Sequence, residues 1–465
     1  MYRRAVSRFL PVLGGILAAL IAAGPAPAVT LDARSIHERV FPSGLRLIVR
    51  PSHALSLTAV QVWIHVGSFR ETPETSGYAH IIEHLVFKGG ADRAPGILDQ
   101  EVEDMGGLLA ATTGRDWTMF GATVASRYTG RVIHLMGNAL RGARFRLEDY
   151  GPERGVLLDE IRRAAADPLS VVTQKLYEAA FERHPYRLDT HGLVRTIHTL
   201  NLDALRTWYE RYYHPANMSV VVVGDVDPET IARLVQAAFE AGGAARAAPE
   251  PLPEPELAGA QAKRQEEVTP FAGSYIGLAF PAPSVADVPD VYAMDLLVTL
   301  LEQGDYGRLP AALQGHVSGV KATFETRRQQ GLLTVVARTD AGNAALVEEA
   351  LRREIRRLGA EGVSNADLAT TKRVLVGTYA LDNETFSGQA NTLGYYEAID
   401  NWRFATTYLE KIQAVSADEV KATARKYLSL DRCCTVVLRP RAVPSGESPA
   451  PAVGNLLHLL REGSQ

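Results

Sequence analysis

Three side chains between Gly77 and Gly90 have the types and spacing that hold a metal ion: His80, Glu83 and His84, in the order H-x-x-E-H. That order reverses the commoner H-E-x-x-H zinc signature. No Gly or Pro interrupts Tyr78 to Lys88, so the stretch is expected to be a helix. Residues four apart share a helix face, which lets both imidazoles reach one ion. Glu83 then stands where a carboxylate can act on a metal-activated water. Two His and a Glu on a helix also suit a plain polar patch, and the motif alone does not decide between the two.

A zinc hydrolase needs a third protein ligand and keeps one position open for water. The candidate lies between Glu153 and Glu160, whose separation puts both on one helix face. Glu160 would be the ligand, with Glu153 orienting another ligand from behind. By spacing alone, this segment reads first as a charged helix face with Arg154, Arg162 and Arg163.

The elements that must position these residues follow from pattern. Strand alternation runs over 45–49 and 57–64, and a helix from Leu98 to Met105 stops at Gly106-Gly107. A strand pair spans Leu108 to Val124 with its turn at Gly114-Arg115. A helix is expected to start near Pro152 and to end at Asp167-Pro168. Met218 to Gly224 is a buried strand, and Asp227 caps a helix reaching Ala241. From Gly242 to Lys263 the composition turns to Ala, Pro, Glu and Gly, as in a semi-extended linker. Beyond it, strands are expected at 271–280, 332–337 and 434–438, and helices at 291–302, 344–358, 365–381 and 417–427. Tyr213 and the strand at 220–223 recur as Tyr427 and 435–438, the mark of a repeated unit.

The expected fold class is therefore α+β: two homologous domains, each a mainly antiparallel sheet packed with helices. Their expected bounds are 29–243 for a zinc-binding first domain, 244–264 for the linker, 265–440 for the second domain and 441–465 for a tail. Residues 1–28 read as a cleaved signal peptide. Arg3, Arg4 and Arg8 precede an apolar run from Val12 to Ala23 and an Ala26-Pro27-Ala28 cleavage site. A mitochondrial presequence would be amphipathic, and this run is continuous. The expected location is periplasmic or secreted, with no membrane span left after cleavage. A net charge of −4 argues against nucleic acid as a partner. Cys433 and Cys434 are adjacent, a strained geometry for a disulfide, and read as small core residues.

With these residues in view, the chain resembles the pitrilysin (M16, inverzincin) family of zinc metallopeptidases, which includes the mitochondrial processing peptidase and insulin-degrading enzyme. The resemblance takes in Val66-Gly67-Ser68, Phe87-Lys88-Gly89, Gly106-Gly107, Asp116, Thr118, His184-Pro185-Tyr186, the run from Tyr212 to Met218, and Gly224-Asp225-Val226. It weakens after Gly273. It implies one zinc per chain held by His80, His84 and Glu160, Glu83 as general base, and Glu153 behind the ligands. It also implies an endopeptidase acting on peptides or unfolded segments, which pair as an added strand with the edge after the double glycine. Here that edge is Leu108, Leu109, Ala110, Ala111 and Thr112.

Two departures stand out. Ala110 replaces the family's usual Asn. In the second domain, Gln314 and Lys321 stand where active members carry an Arg and a Tyr that grip the substrate. Some members divide these roles between subunits. The expectation is a heterodimer with a homologous subunit that lacks the zinc motif and supplies the Arg/Tyr pair. A homodimer using Lys321 is the second expectation, and a non-catalytic peptide-binding or assembly subunit the third.

Overall fold

The alternating run 57–64 and the apolar run 218–224 become neighbouring strands inside one sheet. This computed structural model describes residues 31–88, 96–240, 262–304 and 307–441. The expected signal peptide 1–28, most of the expected linker and residues 442–465 of the tail lie outside the described residues.

The first sheet has six strands in the order β1-β2-β6-β3-β5-β4. They are β1 (His37–Val40), β2 (Arg46–Pro51), β3 (Leu57–Ile64), β4 (Leu108–Thr113), β5 (Thr118–Ala125) and β6 (Met218–Gly224). The second has five, β7 (Lys263–Thr269), β8 (Ser274–Pro281), β9 (Gly319–Phe324), β10 (Leu332–Thr339) and β11 (Cys434–Pro440), in the order β7-β11-β8-β10-β9. The two orders superimpose as β2/β7, β6/β11, β3/β8, β5/β10 and β4/β9. Each sheet has a single parallel pairing, β2 with β6 and β7 with β11, at equivalent places. The sequence echo of 220–223 in 435–438 thus falls on equivalent strands.

Helices α1 (Tyr78–Val86), α2 (Ile97–Asp104), α3 (Thr129–Gly142), α4 (Leu147–Ala166), α5 (Pro168–Ala180), α6 (Val194–His198), α7 (Leu202–Tyr212) and α8 (Pro228–Phe239) belong to the first half. Helices α9 (Val288–Glu302), α10 (Arg308–Ala312), α11 (Ala344–Glu361), α12 (Asn365–Asp382), α13 (Phe386–Ile399), α14 (Arg403–Ala414) and α15 (Ala417–Tyr427) belong to the second. Among the described residues no helix is long and apolar enough to cross a membrane.

Both faces of the central strands of each sheet are buried, and each half covers one face of the other. Val62, Ile64 and Phe120 of the first sheet pack against Ile81, Leu85 and Leu157 of its own helices. On the opposite face, Ile48, Ala59, Trp63 and Val221 meet Phe386, Ala390 and Leu393 of α13. Reciprocally, Val172 and Leu176 of α5 pack on Tyr275, Val336 and Val436 of the second sheet. The approach is close enough to require glycine. A Cβ on Gly394 of α13 would lie 2.0 Å from Trp63 Nε1, and one on Gly277 of β8 would lie 2.8 Å from Val172 Cγ2. A buried ion pair also crosses between the halves, Arg327 to Asp116 at 3.5 Å, with the Tyr186 hydroxyl donating to Asp116 at 2.5 Å.

Several expected bounds shift. The helix placed at Pro152 starts at Leu147, so Pro152 sits inside α4. Pro152 lies in the second turn, where its missing N–H leaves the Glu148 carbonyl without its in-helix partner. β7 begins at Lys263, inside the expected linker, and the strand expected from Phe271 begins at Ser274 after Gly273 at φ 80°. Helices α13 and α14 and strand β9 were not expected.

The Gly394→Ala variant should lose about 1–3 kcal/mol of stability, the usual result of overpacking a filled interior. Gly377 lies on α12 with nothing within 4 Å of an added Cβ, and its change to Ala should gain about 0.5–1 kcal/mol. Denaturant unfolding of the two variants compares them directly. Equal midpoints would contradict the close helix–sheet approach.

Candidate metal centre

Helix α1 is short and buried on its apolar side through Ile81, Ile82, Leu85 and Val86, which turns His80, Glu83 and His84 toward α4. Its N-terminus begins at Gly77, at φ 95°, and the cap residue offers no side-chain acceptor. Glu71 fills that role from outside the helix. Its two carboxylate oxygens accept from Gly77 N at 2.7 Å and Ala79 N at 2.9 Å. Burial pushes this carboxyl up to about 8, and the two N–H donors act in the other direction. Gly77 also abuts Gly192, itself at φ 82°, where a Cβ would come within 2.4 Å of Gly77 Cα. This contact pins the loop 189–192 to the start of α1.

Helix α4 brings Glu153 and Glu160 to the same place on one face. Glu160 Oε2 lies 3.4 Å from His80 Nε2 and 3.3 Å from His84 Nε2. One donor atom from each of the three residues lies within 4.8 Å of the other two. The two His–Glu spacings exceed an ordinary charge-assisted hydrogen bond. They match the donor–donor separation around a tetrahedral zinc, about 3.4 Å for bonds near 2.1 Å. Burial holds the His80 imidazole neutral, down to about 3, as a metal ligand requires. Behind the cluster, Glu153 Oε2 meets His84 Nδ1 at 3.0 Å, fixing the ring with Nε2 toward Glu160, and Lys88 Nζ lies 3.3 Å from Glu153 Oε1. The residues present therefore fit a zinc ion.

Glu83 is half-buried beside the cluster. Burial raises its pKa, while the Thr113 hydroxyl, donating to Oε2 at 2.5 Å, and the neighbouring His84 oppose that rise. The expected edge strand, Leu108 to Thr112, forms β4, the last strand of its sheet, with Leu108, Ala110 and Thr112 exposed. Gln314 is exposed beyond α10, and Lys321 is exposed on β9. The Lys321 charge acts on Glu302, lowering its pKa against the burial that raises it.

Three contributors escaped the sequence reading: Glu71, Thr113 and the pair Asp189–His191. His191 Nδ1 lies 2.7 Å from Asp189 Oδ1, and its ring stands edge-on to His80 at 5.4 Å between centroids. The Asp189 hydrogen bond raises the His191 pKa against the effect of burial. The Asp-x-His spacing was the one local signal available. Glu71 and Thr113 reach the site only through tertiary packing.

Comparison with known proteins gives the chain's family. Residues 48–192 match the description "Insulinase (Peptidase family M16)", and residues 199–375 match "Peptidase M16 inactive domain". An uncharacterised zinc protease of Streptomyces coelicolor is 27% identical over 403 residues, 85% of this chain and 87% of that protein. The protein named "Probable mitochondrial-processing peptidase subunit beta, mitochondrial" from Arabidopsis thaliana is 26% identical over 413 residues, 86% of this chain and 77% of that one. The crystal structure of a protease from Helicobacter pylori has the same fold, with a TM-score of 0.81 at 22% identity over 87% of this chain and 99% of that one. The chain belongs to the peptidase M16 family.

Zinc titrated into the Glu153→Gln variant should bind about 10- to 100-fold more weakly than to the unaltered chain, the usual consequence of losing a carboxylate behind a ligating His. Competition with a chelator measures this. Unchanged affinity would remove Glu153 from the site.

Proposed function

We propose that this chain is a zinc-dependent endopeptidase that hydrolyses peptides or unfolded protein segments. The observation that carries the reading is the meeting of His80, His84 and Glu160, with Glu153 behind His84 and Glu83 alongside. Zinc held by the three residues would supply Lewis-acid polarisation of a water and of the scissile carbonyl. Glu83 takes a proton from the attacking water and gives it to the departing amine nitrogen. Its raised pKa brings it nearer to neutrality and suits both transfers. Glu71 and Glu153 keep α1 and the His84 ring in place. The exposed edge of β4 takes the peptide as an added strand, which tolerates many sequences because the pairing is main chain to main chain.

The proposal extends to a partner. With Gln314 and Lys321 both exposed and no Arg/Tyr pair at their positions, the groups that grip the substrate come from a homologous subunit. The Arabidopsis relative, named as a beta subunit, supports this division. The proposal also includes export after cleavage at Ala28, resting on the character of residues 1–28. A mature N-terminus read at Val29 would agree with it, and a retained Met1 would contradict it.

Glu83→Gln is expected to retain stoichiometric zinc and lose cleavage by a factor of about 100 or more. His80→Ala is expected to lose the metal as well. Metal analysis beside a peptidase assay tests both, and full activity in Glu83→Gln would sink the mechanism. Mixing the chain with a homologue that carries the Arg/Tyr pair should raise turnover well above the sum of the separate chains. Equal activity alone and mixed would overturn the heterodimer and leave the zinc chemistry standing.

A further inference from the structure

β4 is the terminal strand of its sheet. The turn and the ladder together fix which main-chain groups lie on its open side. Gly114 N–H donates to Trp117 O at 2.8 Å, and Thr113 stands opposite Thr118. Bonded and non-bonded pairs alternate along an antiparallel ladder. A bonded Gly114–Trp117 pair therefore turns the N–H and C=O groups of Thr113, Ala111 and Leu109 away from β5. The far side of β5 gives the same phase. Ser126 N–H donates to Ser56 O at the end of the β3–β5 ladder, in which Thr118 stands opposite Ile64. The even-numbered residues of β5 thus bond to β3 and not to β4.

Side chains alternate in step with the backbone. Leu108, Ala110 and Thr112 are exposed, while Leu109 and Ala111 pack against the core beneath α1. Thr113 shares that inward face, and its hydroxyl reaches Glu83 Oε2 at 2.5 Å. One residue therefore ends the row of outward main-chain groups and also holds the carboxylate assigned to proton transfer.

We infer that Thr113 is a positioning residue that sets the register between the bound peptide and Glu83. Its main-chain N–H and C=O pair with the substrate strand, and its hydroxyl fixes the carboxylate. The peptide bond lying beyond the last paired residue is thereby presented to the base at one spacing. The ligand that fits is an extended segment of about five residues with free main-chain groups at alternate positions, spanning Leu109 to Thr113. A proline at a pairing position lacks the N–H and is excluded. The inference rests on the metallopeptidase reading given above.

Two measurements on the full zinc-loaded chain test it and keep the two failures apart. In the Glu83→Gln protein, an added unstructured peptide should slow amide exchange at Leu109, Ala111 and Thr113. Leu108, Ala110 and Thr112, already bonded to β5, should change little. Uniform protection, or none, overturns the register whether or not the unaltered chain cleaves anything. In turnover assays, Thr113→Val should lower kcat about 10- to 100-fold, the worth of one hydrogen bond to a charged group, with KM and zinc content near those of the unaltered chain. Thr113→Ser should restore most of the loss. A kcat unaffected by Val, or a loss that Ser does not restore, overturns the link to Glu83. Absence of any cleavage by the unaltered chain, both alone and mixed with a homologue that carries the Arg/Tyr pair, would sink the metallopeptidase reading alone, and the exchange pattern would still decide the register.

Discussion

The contact between α1 and α4 sets five polar side chains at the rim of an apolar core, and much of the first half is arranged to permit it. His80, Glu83, His84, Glu153 and Glu160 place lone pairs toward one another in a region of low solvent access. Such an arrangement is costly unless each group is bonded or a cation sits among them. The supports are visible one by one. Lys88 faces Glu153, Thr113 donates to Glu83, and Glu153 takes the His84 Nδ1 side. What they leave unanswered includes the junction of two imidazole nitrogens with a Glu160 oxygen, at zinc-like spacing. The polar imbalance at that junction is one that a divalent cation relieves.

Holding that point depends on parts far from it in sequence. Helix α1 is too short to be stable alone, so its axis is set by Glu71 at one end, by the Gly77–Gly192 contact beside it, and by the sheet beneath. The sheet is in turn clamped from behind by α13 of the second half, packed so closely that a Cβ on Gly394 would overlap the Trp63 ring. The exchange of α5 and α13 between the halves means that neither sheet completes its burial alone. The helices that carry His80, His84 and Glu160 are therefore braced by residues more than two hundred positions downstream.

Much of this was legible in the sequence because it is local. The helix period placed both His on one face, the same rule paired Glu153 with Glu160, and the hairpin signal at Gly114 placed β4 and β5. Where reading failed, the determining interactions were not local. Helix α13 contains Gly388, Gly394, Thr392 and Asn391 and is buried on more than one side, so it shows neither helix propensity nor an amphipathic stripe. β7 reads Lys-Arg-Gln-Glu-Glu-Val-Thr, with no apolar alternation, because it is a largely exposed edge strand held by parallel pairing to β11. Glu71 is a carboxylate whose importance appears only once Gly77 and Ala79 are seen to lack other acceptors. Thr113 looks like any strand threonine until the pleat directs it under α1.

The two halves share a topology but differ in what the equivalent helix carries. Helix α9 follows β8 and packs on β9, as α1 follows β3 and packs on β4. Yet α9 buries Val291, Met294, Leu296, Leu297, Leu300 and Leu301, and the carboxyl of its half-buried Asp295 is pushed up to about 7 by loss of solvent and accepts from the Tyr408 hydroxyl. That carboxylate is answered inside its own half and has no His beside it. The scaffold is thus stable with an ordinary apolar helix in this position, so the polar seam of the first half is not a requirement of the fold. A seam that the fold does not need, yet that is braced by Glu71, Glu153, Lys88 and Thr113, is accounted for by the chemistry those groups can do together.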